Sequence, residues 1–239
     1  MTLLPYERAV FVNCPFDDQY KDLFEAIVFT VLDCGFLPRC ALEVDDGAQV
    51  RIDKIFGIIS DCKFGVHDIS RTELDDANQL PRFNMPLELG IFLGAKRYGS
   101  GKQKEKICLI VDRERYRYQK FISDIAGHDI RDHANDPIQA VTIVRNWLRN
   151  VSPEDPMPGG DVIGNRYEAF RDEVPRICWK ASLPPDRLTF VDYLWLVSYW
   201  VALNPIPDVL SLKREREGTY LQELSPSLAL PDSSKLADR

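Results

Sequence analysis

Short unbroken apolar runs alternate with longer amphipathic segments along the first 150 residues. Ala9-Val-Phe-Val12 ends in Asn13-Cys14-Pro15, the pattern of a buried strand followed by a turn. Leu23, Phe24, Ile27, Val28, Val31 and Leu32 then recur at helical spacing until Gly35 stops the helix. Phe36–Leu42 reads as a second strand, and Pro38, which cannot donate to a ladder, assigns it to an edge. After a loop at Asp45-Asp46-Gly47, the residues Val50, Ile52, Ile55, Phe56 and Ile59 predict another amphipathic helix.

Phe64-Gly-Val-His-Asp68 reads as a third strand that delivers Asp68 to its carboxyl edge, and polar residues 70–82 as a long loop. Asn84 is a suitable N-cap, Pro86 is tolerated in a first helical turn, and that helix runs through Leu89, Phe92 and Leu93 to Gly99. Lys106–Val111 is the clearest strand. A weak strand or loop near 125–131 and a helix over Pro137–Asn150 complete the unit. Alternation of this kind calls for an open parallel α/β sheet of about five strands in a flavodoxin-like layout, covered on both faces.

Residues 151–164, rich in Pro, Gly and acidic groups, have linker composition. A helical appendage over 165–204 follows. Its first helix carries Tyr167, Phe170, Val174 and Ile177 and should kink or end at Pro175. Its second starts near Thr189 and is apolar almost all round, which predicts burial against the α/β domain or in a homo-oligomeric interface. The polar 205–239 tail is expected to be flexible.

Composition narrows the function classes. A net charge of −7 argues against general binding of nucleic acid or anionic membranes. The six cysteines show no CxxC pair and no zinc spacing, and several sit in apolar runs as small hydrophobes. With no leader-like start and no long uncharged segment, the chain reads as a soluble cytoplasmic protein. No metal and no cofactor are called for.

In an open parallel sheet, ligands bind beyond the carboxyl ends of the strands. The residues mapped there include Asn13, Cys14, Pro15 and Phe16 after the first strand, Asp68 and Arg71 after the third, and Arg82 and Asn84 before the next helix. Glu88, within Met-Pro-Leu-Glu-Leu-Gly, has few polar neighbours, and Gly90 leaves a ligand room to approach. A partly desolvated carboxylate there suits stabilisation of, or attack on, a positive sugar centre.

Three other features have bland readings. His128-Asp-Ile-Arg-Asp-His133 reads as a polar loop and not a metal cluster, His67 as a packed side chain, and Asp112-Arg-Glu-Arg-Tyr-Arg-Tyr118 as a solvated loop. Cys14 has no base placed beside it by sequence, which disfavours a nucleophilic role. Asp17 and Asp18 are candidate caps for the first helix.

The run Pro81-Arg-Phe-Asn84-Met-Pro-Leu-Glu88-Leu-Gly-Ile-Phe-Leu-Gly94 resembles that of bacterial TIR-like nucleotide-binding proteins. It is also similar to the Phe-Glu-Leu-Gly-Tyr-Ala signature of nucleoside 2-deoxyribosyltransferases. The resemblance spans residues 9–111. It implies Glu88 as catalytic carboxylate and Asp68 as a ribose- or base-orienting group. Asn84 and Arg82 would contact sugar or phosphate, and Asn13–Phe16 would form the opposite wall. Leu87 stands where the signature has Phe, and Arg82 and Asn84 stand where the transferases have an aspartate. That difference puts cleavage of NAD+ or a related nucleotide, in an antiphage-effector role, ahead of nucleoside exchange. A non-catalytic nucleotide sensor and a scaffold assembling through the aromatic C-terminal helix remain open.

Overall fold

The computed structural model describes residues 6–72 and 82–206. Five parallel strands, β1 (Ala9–Asn13), β2 (Leu37–Arg39), β3 (Phe64–Asp68), β4 (Ile107–Asp112) and β5 (Ile130–Asp132), form one open sheet in the order β2-β1-β3-β4-β5. β2, with Pro38 at its centre, lies on the edge, where a missing N–H breaks no ladder. The chain leaves β1 in one direction and resumes at β3 in the other, so the strand order switches between these two carboxyl ends.

Helices α1 (Lys21–Asp33) and α4 (Pro137–Val151) cover one face, and α2 (Arg51–Asp61) and α3 (Asn84–Tyr98) the other. Between β4 and β5 the chain makes only 3-10 turns at Arg117–Lys120 and Ser123–Ile125. Tyr118 and Ile125 from those turns pack with Ile69, Leu89 and Ile110 and fill the place of a crossover helix. α3 sits close to β3 because residue 65 is glycine. A Cβ there would lie 2.7 Å from His67 Nε2 and 2.9 Å from the Phe92 ring.

The opposite end of the sheet is closed by Lys106. Its buried ammonium donates to the carbonyls of Ile59 and Cys62, the last of α2, and lies 4.7 Å from the Phe92 ring centroid. This single cation bonds two carbonyls of the helix's last turn, of which that of Ile59 also accepts the Cys62 N–H at 3.2 Å. Burial lowers its pKa to about 8.

Helices α5 (Gly160–Ala181) and α6 (Phe190–Leu203) build a third layer outside α1 and α4 and share their hydrophobic core. The expected linker is therefore shorter than 151–164, because α5 already begins at Gly160. Nor does Pro175 end α5. It lies on the exposed side, so the Arg171 carbonyl it leaves unpaired can be hydrated, while Phe170, Ile177 and Cys178 anchor the inner face. α6 opens with a capping box between Thr189 and Asp192.

Within the chain α6 is covered on one side only. Phe190, Tyr193, Leu196, Val197 and Trp200 face inward, while Val191, Trp195, Tyr199 and Leu203 are exposed. All of α6's apolar positions cannot contact one neighbouring layer, so those on its outer side are left uncovered within the chain. The tail beyond residue 206 lies outside the described residues. Among the described residues no helix is long and apolar enough to cross a membrane.

Polar tips fasten the third layer to α1. Tyr167 and Tyr193 donate hydroxyl hydrogens to the carbonyls of Asp22 and Glu25, at 3.1 and 3.0 Å. Arg166 grips Asp33 with two bonds of 2.8 and 2.7 Å, donates to the Asn204 carbonyl and stacks against Trp200. Removing one member of such a buried pair strands the other charge. Arg166→Met is therefore expected to destabilise the fold by about 3–5 kcal/mol. Urea unfolding checks this, with the Arg166→Met/Asp33→Asn double variant losing much less than the sum of the two single changes.

Candidate functional site

The carboxyl edge of the sheet is held by one fully buried carboxylate. Asp68 Oδ1 accepts the Ser70 N–H at 2.7 Å, and Oδ2 accepts the Tyr20 hydroxyl and His133 Nε2, the latter at 2.8 Å. His133 Nδ1 accepts the Asn135 N–H, so its hydrogen lies on Nε2 and goes to Asp68. Burial alone would raise the Asp68 pKa. The bonds from His133, Ser70 and Tyr20 outweigh burial and hold it below the ordinary value.

The reading of His128–His133 as a polar loop is thereby corrected at its end. His133 is 0% exposed and follows β5 directly, its backbone N–H bonding the Asp112 carbonyl. The expected solvated loop after β4 is corrected too. Arg117 is buried and binds Asp112 Oδ1, Thr72 Oγ1 and the Ile69 carbonyl, and its neighbour Tyr118 is buried in the core. Burial raises the Asp112 pKa despite Arg117.

Asn13, at the end of β1, donates its amide hydrogens to the Met85 carbonyl at 2.8 Å and to His67 Nδ1 at 3.0 Å. It thus ties β1, β3 and the first turn of α3 together. His67 packs between Phe11 and Phe92, and burial drives its pKa down to about 3. The helix N-cap is Phe83, not Asn84, which becomes the first helical residue and is exposed. The buried face of the helix carries Met85, Glu88, Leu89 and Phe92 at i, i+3, i+4 and i+7.

Glu88 therefore points inward. It is 7% exposed and has no hydrogen bond or ion pair among the described residues. Burial raises its pKa from 4.5 to about 7, opposed only by the more distant charge of Arg51 at the start of α2. Cys14 and Cys40, at the ends of β1 and β2, lie near enough to feel its charge. The carboxylate thus lies by the carboxyl ends of β1 and β2, beside the point at β1 where the strand order switches. The expectation that Gly90 gives a ligand room at Glu88 is corrected: two residues along a helix lie on opposite sides, and Gly90 is on the exposed one while Glu88 is on the buried one.

The remaining expected residues are spread along the same edge. Cys14 and Pro15 are buried, and burial keeps the Cys14 thiol protonated, so it is no nucleophile. Phe16 is exposed and lines a cleft of about 160 Å³ against Leu188, Phe190 and Tyr193 of the third layer. Arg71 and Arg82 converge on Asp17, at 3.0 and 2.9 Å, and Asp17 also accepts the Tyr20 N–H just ahead of α1. Asp17 thus braces the entry to α1, whose N-cap is Tyr20. Among the described residues no group of three or more His, Cys, Asp or Glu side chains converges as metal ligands do.

His133 and Tyr20 are the structural partners that sequence reasoning missed. Alternation within the short β5 gave no signal, and only the position of Tyr20 between Asp17 and α1 hinted at a role. No protein-family model matches the chain, and no curated protein matches its sequence. The functional reading rests on these groups and their surroundings.

The buried Glu88 should leave a thermodynamic trace. Between pH 4.5 and about 7 the native state holds a proton that the unfolded chain has lost, so this group's contribution falls as pH rises and levels off above about 7. The shift corresponds to about 3 kcal/mol at most. Glu88→Gln is expected to match wild type in stability at pH 4.5 and to exceed it by about 1–3 kcal/mol at pH 8. Urea titrations at the two pH values test this, and an equal difference at both would contradict the desolvated carboxylate.

Proposed function

We propose that the chain cleaves the N-glycosidic bond of NAD+ or a related nucleotide, with Glu88 as the catalytic carboxylate. The observation that carries this reading is the inward, unpartnered Glu88 by the carboxyl ends of β1 and β2, kept at a cost to stability. Uncompensated carboxylates of this kind concentrate at functional sites, where a group is poised for chemistry and not for folding.

The chemistry is compact. As the bond from the ribose anomeric carbon to the ring nitrogen breaks, its electron pair leaves with the base, and positive charge develops on the sugar. Departure neutralises a nicotinamide ring, so that base leaves readily. The Glu88 carboxylate stabilises the oxocarbenium-like sugar or attacks it, and water then captures the sugar and releases a proton. In a dry site that electrostatic stabilisation exceeds what the same carboxylate provides in water. Asn13, through Met85, fixes the helix turn that aims Glu88. Asp68 has both oxygens committed to Ser70, Tyr20 and His133, which suits it to holding the edge in shape. The neighbouring arginines, and Asn84 at the start of α3, supply polar contacts for sugar and phosphate.

Incubation with NAD+, NADP+, ATP and common nucleosides, followed by chromatography for free base, tests the activity. Wild type is expected to release base, and Glu88→Gln to lose about a hundredfold or more. The exposed Val191, Trp195, Tyr199 and Leu203 face of α6 makes low and high protein concentrations worth comparing, since a homo-oligomer would form there. Because the reaction needs the ionised carboxylate, kcat/KM should rise with pH through about 7. A bound cationic ring favours the ionised form, so the corresponding limb of kcat should lie at lower pH. Ligand binding without turnover in either form would assign Glu88 to recognition and make the protein a sensor.

A further inference from the structure

A second cleft, of about 330 Å³, lies on the same edge of the sheet beyond β3 and β4. Arg71 after β3 and Arg113 after β4 reach it from two different segments. Tyr20 and Asp22 line it from the start of α1, and Asn135 and Pro137 from the start of α4. The Arg71 guanidinium is tethered in place by Asp17 Oδ1 at 3.0 Å and Gln19 Oε1 at 2.8 Å. The Arg113 backbone is pinned where it leaves the strand by its N–H to Asp112 Oδ1 at 2.7 Å. Asp22, the one carboxylate among the described residues that line the cleft, is itself paired with Arg171.

The Asn135 wall is unusual. Ala134 and Asn135 are consecutive non-glycine residues in the left-handed region, with φ of 51° and 59°. Local interactions enforce this turn. Asn135 N–H bonds His133 Nδ1, and Asp136 N–H bonds the His133 carbonyl. The buried Asp68–His133 pair therefore presents Asn135 at the mouth of the cleft, and strain of this kind tends to be held at binding sites.

Two permanently charged guanidiniums that line one cleft from separate segments, that of Arg71 already held in place, are suited to bidentate recognition of phosphoryl oxygens. The spacing also fits. Glu88 feels the ends of β1 and β2, whereas Arg113 leaves β4, two strand spacings or about 10 Å beyond β1. Arg82, Asp17 and Arg71 form a continuous ion-paired row along the same edge.

We propose that the Arg71–Arg113 cleft binds the phosphoryl groups of a nucleoside diphosphate or dinucleotide whose sugar lies at Glu88. The link to a sugar rests on the glycosidase reading, and the phosphate site does not. It follows that the substrate is a nucleotide and not a free nucleoside.

Calorimetric titration of the full chain with inorganic pyrophosphate tests the site without requiring turnover. Wild type and Glu88→Gln should bind it alike, and more weakly as salt rises. Arg113→Met should lose about tenfold or more in affinity. Asn135→Asp provides a variant that leaves the core untouched. The residue is exposed, aspartate tolerates a left-handed φ, and the new carboxylate should repel pyrophosphate to a similar degree. Absence of pyrophosphate binding by wild type, or unchanged binding by both Arg113→Met and Asn135→Asp, would overturn the phosphate site. Pyrophosphate binding with no base release from any nucleotide would remove the glycosidase reading and leave the phosphate site standing.

Discussion

Asp68 accepts hydrogen bonds from three segments that are remote in sequence: the entry to α1 through Tyr20, the exit of β3 through Ser70, and the exit of β5 through His133. A charge with no exposure needs this many donors, because an ionised group taken from water loses far more than one bond returns. The same requirement organises the edge around it. β5 is only three residues long, yet it lies in register because His133 must reach Asp68 and its N–H must meet the Asp112 carbonyl. The turn after His133 stays in a left-handed conformation because Asn135 completes the imidazole's hydrogen bonding.

Glu88 is the opposite solution to the same problem. Both carboxylates are buried on one edge of one sheet, but Asp68 is saturated with donors and held ionised, while Glu88 has none and is pushed to about 7. When two acids in one site are driven apart in this way, the stabilised one holds geometry and the destabilised one is available for chemistry. Asn13 connects the two environments. It binds His67, the residue before Asp68, and the carbonyl of Met85, one helical turn before Glu88.

Much of the architecture was legible in the residues. Gly35, Pro38, Gly99 and Pro137 punctuate the elements where local backbone chemistry requires, and β3 falls on Phe64–Asp68 as its apolar run indicates. The burial of Glu88 could be expected from its apolar neighbours, although Leu87 turned out to face solvent while Met85 and Phe92 share its face. His133 was illegible for a different reason. Its partner is 65 positions away, and a three-residue strand carries too little periodicity to announce that a histidine beside it is buried. Arg117 was misread because charge runs are ordinarily solvated, and only the tertiary position of Asp112 gives this guanidinium a reason to be inside. For α6 the residues could not show which side its own chain covers, since composition alone cannot tell which face of an apolar helix will find a neighbour.

The third layer bears on the site through α1. That helix is packed on the sheet side by Val10 and Val12 and on the outer side by Tyr167, Phe170, Tyr193 and Trp200, so its position answers to both layers. Its first turn adjoins the site wall directly. The Phe24 ring lies between Phe16, at 5.3 Å, and Phe190, at 5.9 Å. Tyr20, at the same end, is the donor to Asp68. Close-packed interiors transmit displacement because they have no slack to absorb it. A shift of α6 would therefore move Phe24 and the start of α1 together, and with them Phe16 on the wall and the hydroxyl that helps keep Asp68 ionised. The helical appendage is thus coupled in packing to the carboxyl edge through α1.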